Sequence, residues 1–150
     1  MKAKDIMTTH VLAIRHDDRA AHAVQIMAHH NISGMPVVND ADELIGIITE
    51  RDLLMITKIQ PPKVKTALYG LWIEPDRMVQ EDAEWRGLLV EDVMTKKVVS
   101  FGPEEAVAEI AKVMHDRGIK RVPIVEGKTI VGLISRADII KAIAEGRSLD

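Results

Sequence analysis

Gly46-Ile47-Ile48-Thr49-Glu50-Arg51-Asp52 and Gly132-Leu133-Ile134-Ser135-Arg136-Ala137-Asp138 are two copies of one pattern, 86 positions apart. In each, an apolar run ends in a hydroxyl residue, and a carboxylate follows three positions later. The apolar run predicts a buried strand, and the hydroxyl predicts the start of a helix. Ser/Thr-x-x-Asp is close to a capping box, in which Glu or Gln is more usual at the last position. The same geometry also suits an anion. A helix N-terminus offers unpaired N–H groups and the positive end of a dipole to a group such as phosphate. Thr49 or Ser135 can add a hydroxyl and Arg51 or Arg136 a charge-assisted bond. Asp52 or Asp138 can accept both hydroxyls of a ribose. Cap and binding site are both open readings of these seven residues.

Outward from this pattern the self-match continues. Asp5-Ile6-Met7-Thr8 matches Asp92-Val93-Met94-Thr95 at an offset of 87, as do Met27 with Met114, Ile32 with Ile119 and Pro36-Val37-Val38 with Pro123-Ile124-Val125. One residue is lost in a turn before the strand that ends at Thr49 or Ser135. Order and spacing therefore define an internal repeat with copies at 1–56 and 88–146, a connecting segment at 57–87 and a tail at 147–150.

Each copy reads as strand, helix, strand, strand, helix. Val11-Leu12-Ala13-Ile14 and Val98-Val99-Ser100-Phe101 are short β-rich runs. Asp17-Asp18 and Pro103-Glu104-Glu105 suggest acidic first turns of helices that reach His30 and Arg117. Val24 with Met27, and Val107, Ile110 and Met114, fall on helical spacing and mark core faces. In the connecting segment, Pro61-Pro62 breaks the preceding helix. Tyr69, Trp72 and Trp85 there suggest a packed, partly helical piece, against a loop that covers its own core edge.

Composition sets limits. The chain has 150 residues, 47% hydrophobic, 29% charged and 3% aromatic, so its core is aliphatic, with 8 Met. A net charge of −3 and a pI near 6.1 argue against a nucleic-acid binder that works by phosphate neutralisation. The absence of Cys excludes disulfides, thiolate metal sites and a cysteine nucleophile. No apolar run has the ~18 residues of a membrane span, and Met1-Lys2-Ala3-Lys4-Asp5 does not begin a secretory leader. A cytoplasmic, non-membrane protein is the expectation.

The repeated Asp-Ile/Val-Met-Thr, the strand prolines of Gly34-Met35-Pro36-Val37-Val38 and Lys120-Arg121-Val122-Pro123-Ile124-Val125, and the two Gly-to-Asp patterns together resemble a tandem pair of cystathionine-beta-synthase (CBS) domains, a Bateman module. The resemblance covers most of the chain outside the connecting segment. It implies an α+β fold of two βαββα motifs packed in pseudo-twofold symmetry with two clefts between them. It also implies an adenosine-containing ligand (AMP, ADP, ATP or S-adenosylmethionine) and a disc-like homodimer. Carried over by motif, Asp52 and Asp138 would hold ribose hydroxyls, and Thr49 and Ser135 would contact phosphate or ribose. Gly34, Met35 and Pro36 in one copy, and Lys120, Arg121, Val122 and Pro123 in the other, would line the phosphate side. Thr8 and Val11, and Thr95 and Val98, would wall the base.

The copies differ where charge matters. Lys120-Arg121 stands where the first copy has Ser33-Gly34, and Arg136 follows Ser135 by one position where Arg51 follows Thr49 by two. Lys120 and Arg121 read either as phosphate ligands or as solvated surface charges. His10, His16, His22, His29, His30 and His115 invite a metal reading, but His22 and His29 align with Glu109 and Asp116, a solvent-facing pattern, and no carboxylate stands at ligand spacing to these histidines. No pair of carboxylates is placed around a reactive centre. The expectation is a regulatory, non-enzymatic module without metal or catalytic cofactor, acting on an unidentified protein partner. A dimerisation or interaction module with no ligand is its rival.

Overall fold

The computed structural model describes residues 1–59 and 87–150. Tyr69, Trp72 and Trp85, on which the reading of the connecting segment rests, lie outside them. The described elements, numbered in chain order, are α1 (Ala3–Ile6), β1 (Ile14–Arg15), α2 (Ala20–His30), β2 (Gly34–Val38), β3 (Leu44–Thr49), α3 (Glu50–Ile59), α4 (Val90–Val93), α5 (Val107–Arg117), β4 (Arg121–Glu126), β5 (Thr129–Ser135) and α6 (Arg136–Ala144). This mixture of helix with small sheets is α+β.

The two longer helices that precede the proline strands end alike. Asn31 closes α2 at φ 52° and Gly118 closes α5 at φ 64°, both left-handed. Ile32 N–H then bonds the Met27 carbonyl at 3.0 Å, and Ile119 N–H bonds that of Met114 at 2.9 Å. These bonds satisfy carbonyls that the helix end leaves open. Glycine adopts this conformation freely, and asparagine is among the few other residues that tolerate it.

The chain packs as two units that cut across the repeat. Unit 1 contains Met1–Leu12, Asp42–Leu44 and Val99–Asp150; unit 2 contains Ala13–Ala41 and Ile45–Val98. The opening segment of each sequence copy therefore belongs with the body of the other. In unit 1, β4 and β5 pair antiparallel with Pro123 opposite Leu133, and Phe101 bridges Ile124 in parallel. Its core joins Ala3 to Val107, Ile110, Met114, Val122, Ile124, Ile134 and Ile139. In unit 2 the sheet order is β1-β2-β3, with β1 parallel to β2. Its core joins Val90 to Ile14, Ala20, Ala23, Met27, Met35, Val37, Ile48, Leu53 and Ile56. Each fully buried Val, Leu, Ile or Met side chain among them contributes about 1.5–3 kcal/mol.

The first strand of each copy is shorter than expected. Only Ile14–Arg15 pairs in the first copy and only Phe101 bridges in the second. The reason is the crossing: the chain leaves unit 1 after Leu12 and unit 2 after Val98, so Val11 and Val98 precede the strand. The acidic first turns are also corrected. Helix α2 has no acid in its first turn, and α5 begins after Ala106 with Glu109, not Glu104 or Glu105, as its first-turn acid. Asp17 pairs instead with Arg15, Asp18 with His22, and Glu104 with Lys2 and Lys4. Helices α1 and α4, unforeseen from sequence, arise because Asp5 and Asp92 fold back on the Lys2 and Leu89 N–H groups at 2.8 and 2.9 Å.

Candidate functional site

Both Gly-to-Asp patterns fold as capping boxes. In unit 1, Asp138 Oδ2 accepts from Ser135 N–H at 2.8 Å and Ser135 Oγ at 3.0 Å, while Asp138 N–H donates to Ser135 Oγ at 3.2 Å. In unit 2, Asp52 Oδ2 accepts from Thr49 N–H at 2.9 Å and Thr49 Oγ1 at 3.1 Å, and Asp52 N–H donates to Thr49 Oγ1 at 3.3 Å. The cap thus uses one oxygen of each carboxylate and leaves the other for a second task. All four residues are half-buried.

The second oxygens differ. Asp52 Oδ1 accepts from Thr95 Oγ1 at 3.0 Å. Thr8 is the counterpart of Thr95, yet Asp138 Oδ1 accepts no hydrogen bond from any described residue.

The segment that carries each threonine is fixed by main chain. Thr8 and Leu133 exchange N–H···O bonds at 2.9 Å each, and Thr95 and Ile47 do so at 2.8 and 2.9 Å. The glycine of each pattern makes this approach possible. A Cβ on Gly132 would stand 2.8 Å from Met7 Cγ; one on Gly46 would stand 2.5 Å from Met94 Sδ and 3.0 Å from the Thr95 carbonyl oxygen. The repeated Met-Thr and the repeated Gly are two halves of one contact.

The sequence-derived residues accordingly sort into two sets, each within one unit. Unit 1 holds Thr8, Val11, Lys120, Arg121, Val122, Pro123, Ser135, Arg136 and Asp138. Unit 2 holds Gly34, Met35, Pro36, Thr49, Arg51, Asp52, Thr95 and Val98. Gly34, Met35, Pro36, Val122 and Pro123 are buried strand positions with no polar side chain to offer a ligand. The turn is also tied to the residue ahead of the proline strand: Arg136 N–H bonds the Lys120 carbonyl at 3.0 Å, and Glu50 N–H bonds that of Ser33 at 2.9 Å. Arg136 Nε further donates to the Ile119 carbonyl at 3.0 Å. That bond, which no sequence signal marks, ties this guanidinium to the main chain ahead of β4; Arg136 and Arg51 are both exposed.

The histidines need one correction. Carboxylates do reach His16: its Nδ1 meets Glu91, and its Nε2 meets Asp40 Oδ1 at 3.2 Å. His16, Asp17 and Asp40 bring donor atoms within 4.8 Å of one another. Arg15 pairs with both aspartates and, by its hydrogen bond first, holds the Asp17 carboxyl below its ordinary range. This is an ion-pair network assembled by the fold from positions distant in sequence. His22 and His29 are exposed, as the alignment of the copies suggests.

A family model described as the CBS domain matches residues 3–58 and 90–145. The uncharacterized protein MJ1404 of Methanocaldococcus jannaschii is 31% identical over 144 residues, which span 96% of this chain and 32% of that one. The chain covers less than half the length of the first curated relatives it matches. The CBS domain pair of protein MJ0100, solved with 5′-methylthioadenosine and S-adenosyl-L-methionine, aligns at a TM-score of 0.73 with 22% identity over 98% of each chain. CBSX2 in complex with AMP aligns at 0.74 with 18% identity over 96% of each chain. At such identities these two structures speak for the fold alone.

Proposed function

The chain belongs to the CBS-domain family, with two copies of the domain, and on that footing we propose that it is a regulatory, non-enzymatic module of the cytoplasm that binds an adenosine-containing ligand. AMP, ADP, ATP and S-adenosylmethionine are the candidates. One observation carries this reading: the half-buried carboxylate at the first turn of α6 spends Oδ2 on its cap, and its Oδ1 has no donor among the described residues. A ribose offers paired hydroxyls to such an oxygen, and the adjacent helix N-terminus favours the phosphate that follows. The two structural neighbours, solved with AMP and with S-adenosyl-L-methionine, support the ligand class. Binding would shift the population between conformations or association states and so act on a protein partner.

Thermal denaturation against adenosine, AMP, ADP, ATP and S-adenosylmethionine tests this reading. A ligand at 100 times its Kd adds about 2.7 kcal/mol of stability. No shift with any of them would favour the second reading, a dimerisation module. That reading draws on Leu54 and Met55 of α3 and Ile140 and Ile143 of α6, which are 59%, 48%, 64% and 51% exposed. Large exposed apolar side chains on neighbouring helical positions suit burial against a second copy, and we propose a homodimer in either case. Light scattering that returns a monomer mass at micromolar concentration would overturn the dimer. No helix among the described residues is long and apolar enough to cross a membrane.

A further inference from the structure

Helices α1 and α4 dock by the same backbone bonds in the two units. Ala3 N–H bonds the Glu105 carbonyl at 2.8 Å and Lys4 N–H that of Pro103 at 3.0 Å; Val90 N–H bonds that of Asp18 at 2.8 Å and Glu91 N–H that of His16 at 2.9 Å. The side chains that fasten them are different. In unit 1, Lys2 and Lys4 reach Glu104 at 2.5 and 2.7 Å. In unit 2, Glu91 stands where Lys4 does, and it meets His16. His16 is 23% exposed at its side chain and bridges Glu91 on α4 to Asp40 in the turn after β2.

A neutral imidazole carries one N–H and can donate to one carboxylate; only the imidazolium donates to both at once. The bridge is therefore complete only when His16 is protonated. We propose that His16 is a proton-operated clasp that fastens the 88–98 segment to the rest of unit 2 in its charged form and slackens it when neutral. The groups around the ring favour the charged form. Hydrogen bonding to Glu91 first, and then to Asp40, raises the His16 pKa above its ordinary value. Asp17 adds a further negative charge, while Arg15 offsets part of it through its pairs with Asp17 and Asp40. Asp18 is engaged by His22 at 2.7 Å. Because the folded pKa is raised, the stabilisation is full below the ordinary histidine value of about 6.5 and is lost as pH rises through the higher folded value. Glu104 raises the Lys4 pKa above its ordinary value and has its own lowered to about 2, so this pair does not titrate in that range and gives α1 no such dependence.

Residues 88–98 carry Thr95 to Asp52, so the clasp would make the Asp52 site sensitive to protons. That consequence rests on the nucleotide function proposed above; the clasp itself does not. The test is hydrogen exchange on the full chain without nucleotide, read as protection factors at Val90 and Glu91 against Ala3 and Lys4. From about pH 6 to about pH 8.5, protection at Val90 and Glu91 should fall about two- to fivefold, the scale of one partly exposed ion pair, with no such fall at Ala3 and Lys4. His16→Gln should hold protection at the lower level at every pH, and Glu91→Gln should do the same while lowering the His16 midpoint in an NMR titration. His22→Gln should leave the fall intact. A fall that persists in both His16→Gln and Glu91→Gln, or that disappears in His22→Gln, would overturn the clasp. Nucleotide binding with flat exchange would sink the clasp alone, and pH-dependent exchange without nucleotide binding would sink the function alone.

Discussion

Unit 1 and unit 2 use the same backbone bonds and the same Met–Gly contact to take in a four-residue helix from the other sequence copy, and they differ in the charged side chains that fasten it. Unit 1 fastens its helix with two lysines on Glu104, leaves Asp138 Oδ1 without a donor among the described residues and ties the Arg136 guanidinium to the Ile119 carbonyl. Unit 2 fastens its helix with His16 on Glu91 and closes Asp52 Oδ1 with Thr95. Duplication preserved what packing demands, because a wrong side chain at Gly46 or Gly132 collides with a neighbour. The half-exposed positions carry no such demand and diverged.

The comparison breaks most readily at the carboxylates. Asp138→Ala removes the proposed ribose oxygen, and each charge-assisted hydrogen bond lost should weaken adenosine, AMP and ATP by about 1.5–3 kcal/mol. Loss of the cap should cost about 1 kcal/mol of stability in addition. Asp52→Ala should cost a similar cap but less affinity, since Thr95 already occupies Oδ1. Calorimetry on both variants decides: equal losses of affinity would make the two units functionally alike.

Packing should answer symmetrically. Gly46→Val and Gly132→Val should each destabilise by about 1–3 kcal/mol in chemical denaturation, the usual cost of overfilling a tight contact. Gly132→Ala combined with Met7→Ala should cost less than the two single losses added together, because truncating Met7 makes room. Additive losses would mean that Met7 is not what Gly132 accommodates.

These packing effects bear on what can be read from sequence. The repeat, the proline strands and the helix starts at Thr49 and Ser135 are legible, because spacing and residue type determine them locally. The exchange of opening segments is not. Met7-Thr8 and Met94-Thr95 are the same dipeptide, and Gly46 and Gly132 the same residue, so the sequence accepts either pairing. The ion-pair partners of His16 are hidden for a related reason: Asp40 and Glu91 reach it only after the chain has folded. The acids ahead of α2 and α5 resemble first-turn residues, yet a neighbouring cation claims Asp17 and Glu104.

A smaller effect is expected at the phosphate side. Lys120→Ala with Arg121→Ala should weaken ATP more than AMP and leave adenosine nearly unchanged. The difference should shrink as salt rises, since exposed charges are screened over about 8 Å at physiological ionic strength. Titrations at two salt concentrations check this, and equal losses for all three ligands would assign both residues to the solvated surface.

The smallest effect belongs to the lysine clasp. Hydrogen bonds from Lys2 and Lys4 lower the Glu104 pKa to about 2. With a depressed folded pKa, its contribution is full above the ordinary value of 4.5 and fades only as pH falls toward 2. Glu104→Gln should therefore lower stability slightly and by a constant amount between about pH 5 and pH 9. A loss that varied across that range would erase the contrast with His16.

The crossing of segments also orders events in time. During synthesis, unit 2 has all of its chain once Val98 has emerged, whereas Met1–Leu12 must wait for Val99–Asp150 before unit 1 can close. At ~5–20 residues per second, α1 is made roughly 5–30 seconds before the surface it packs on. Of the described helices, the one made before the others waits longest for its surface, and a chain released near residue 98 would hold the segments of unit 2 with Met1–Leu12 still unclaimed.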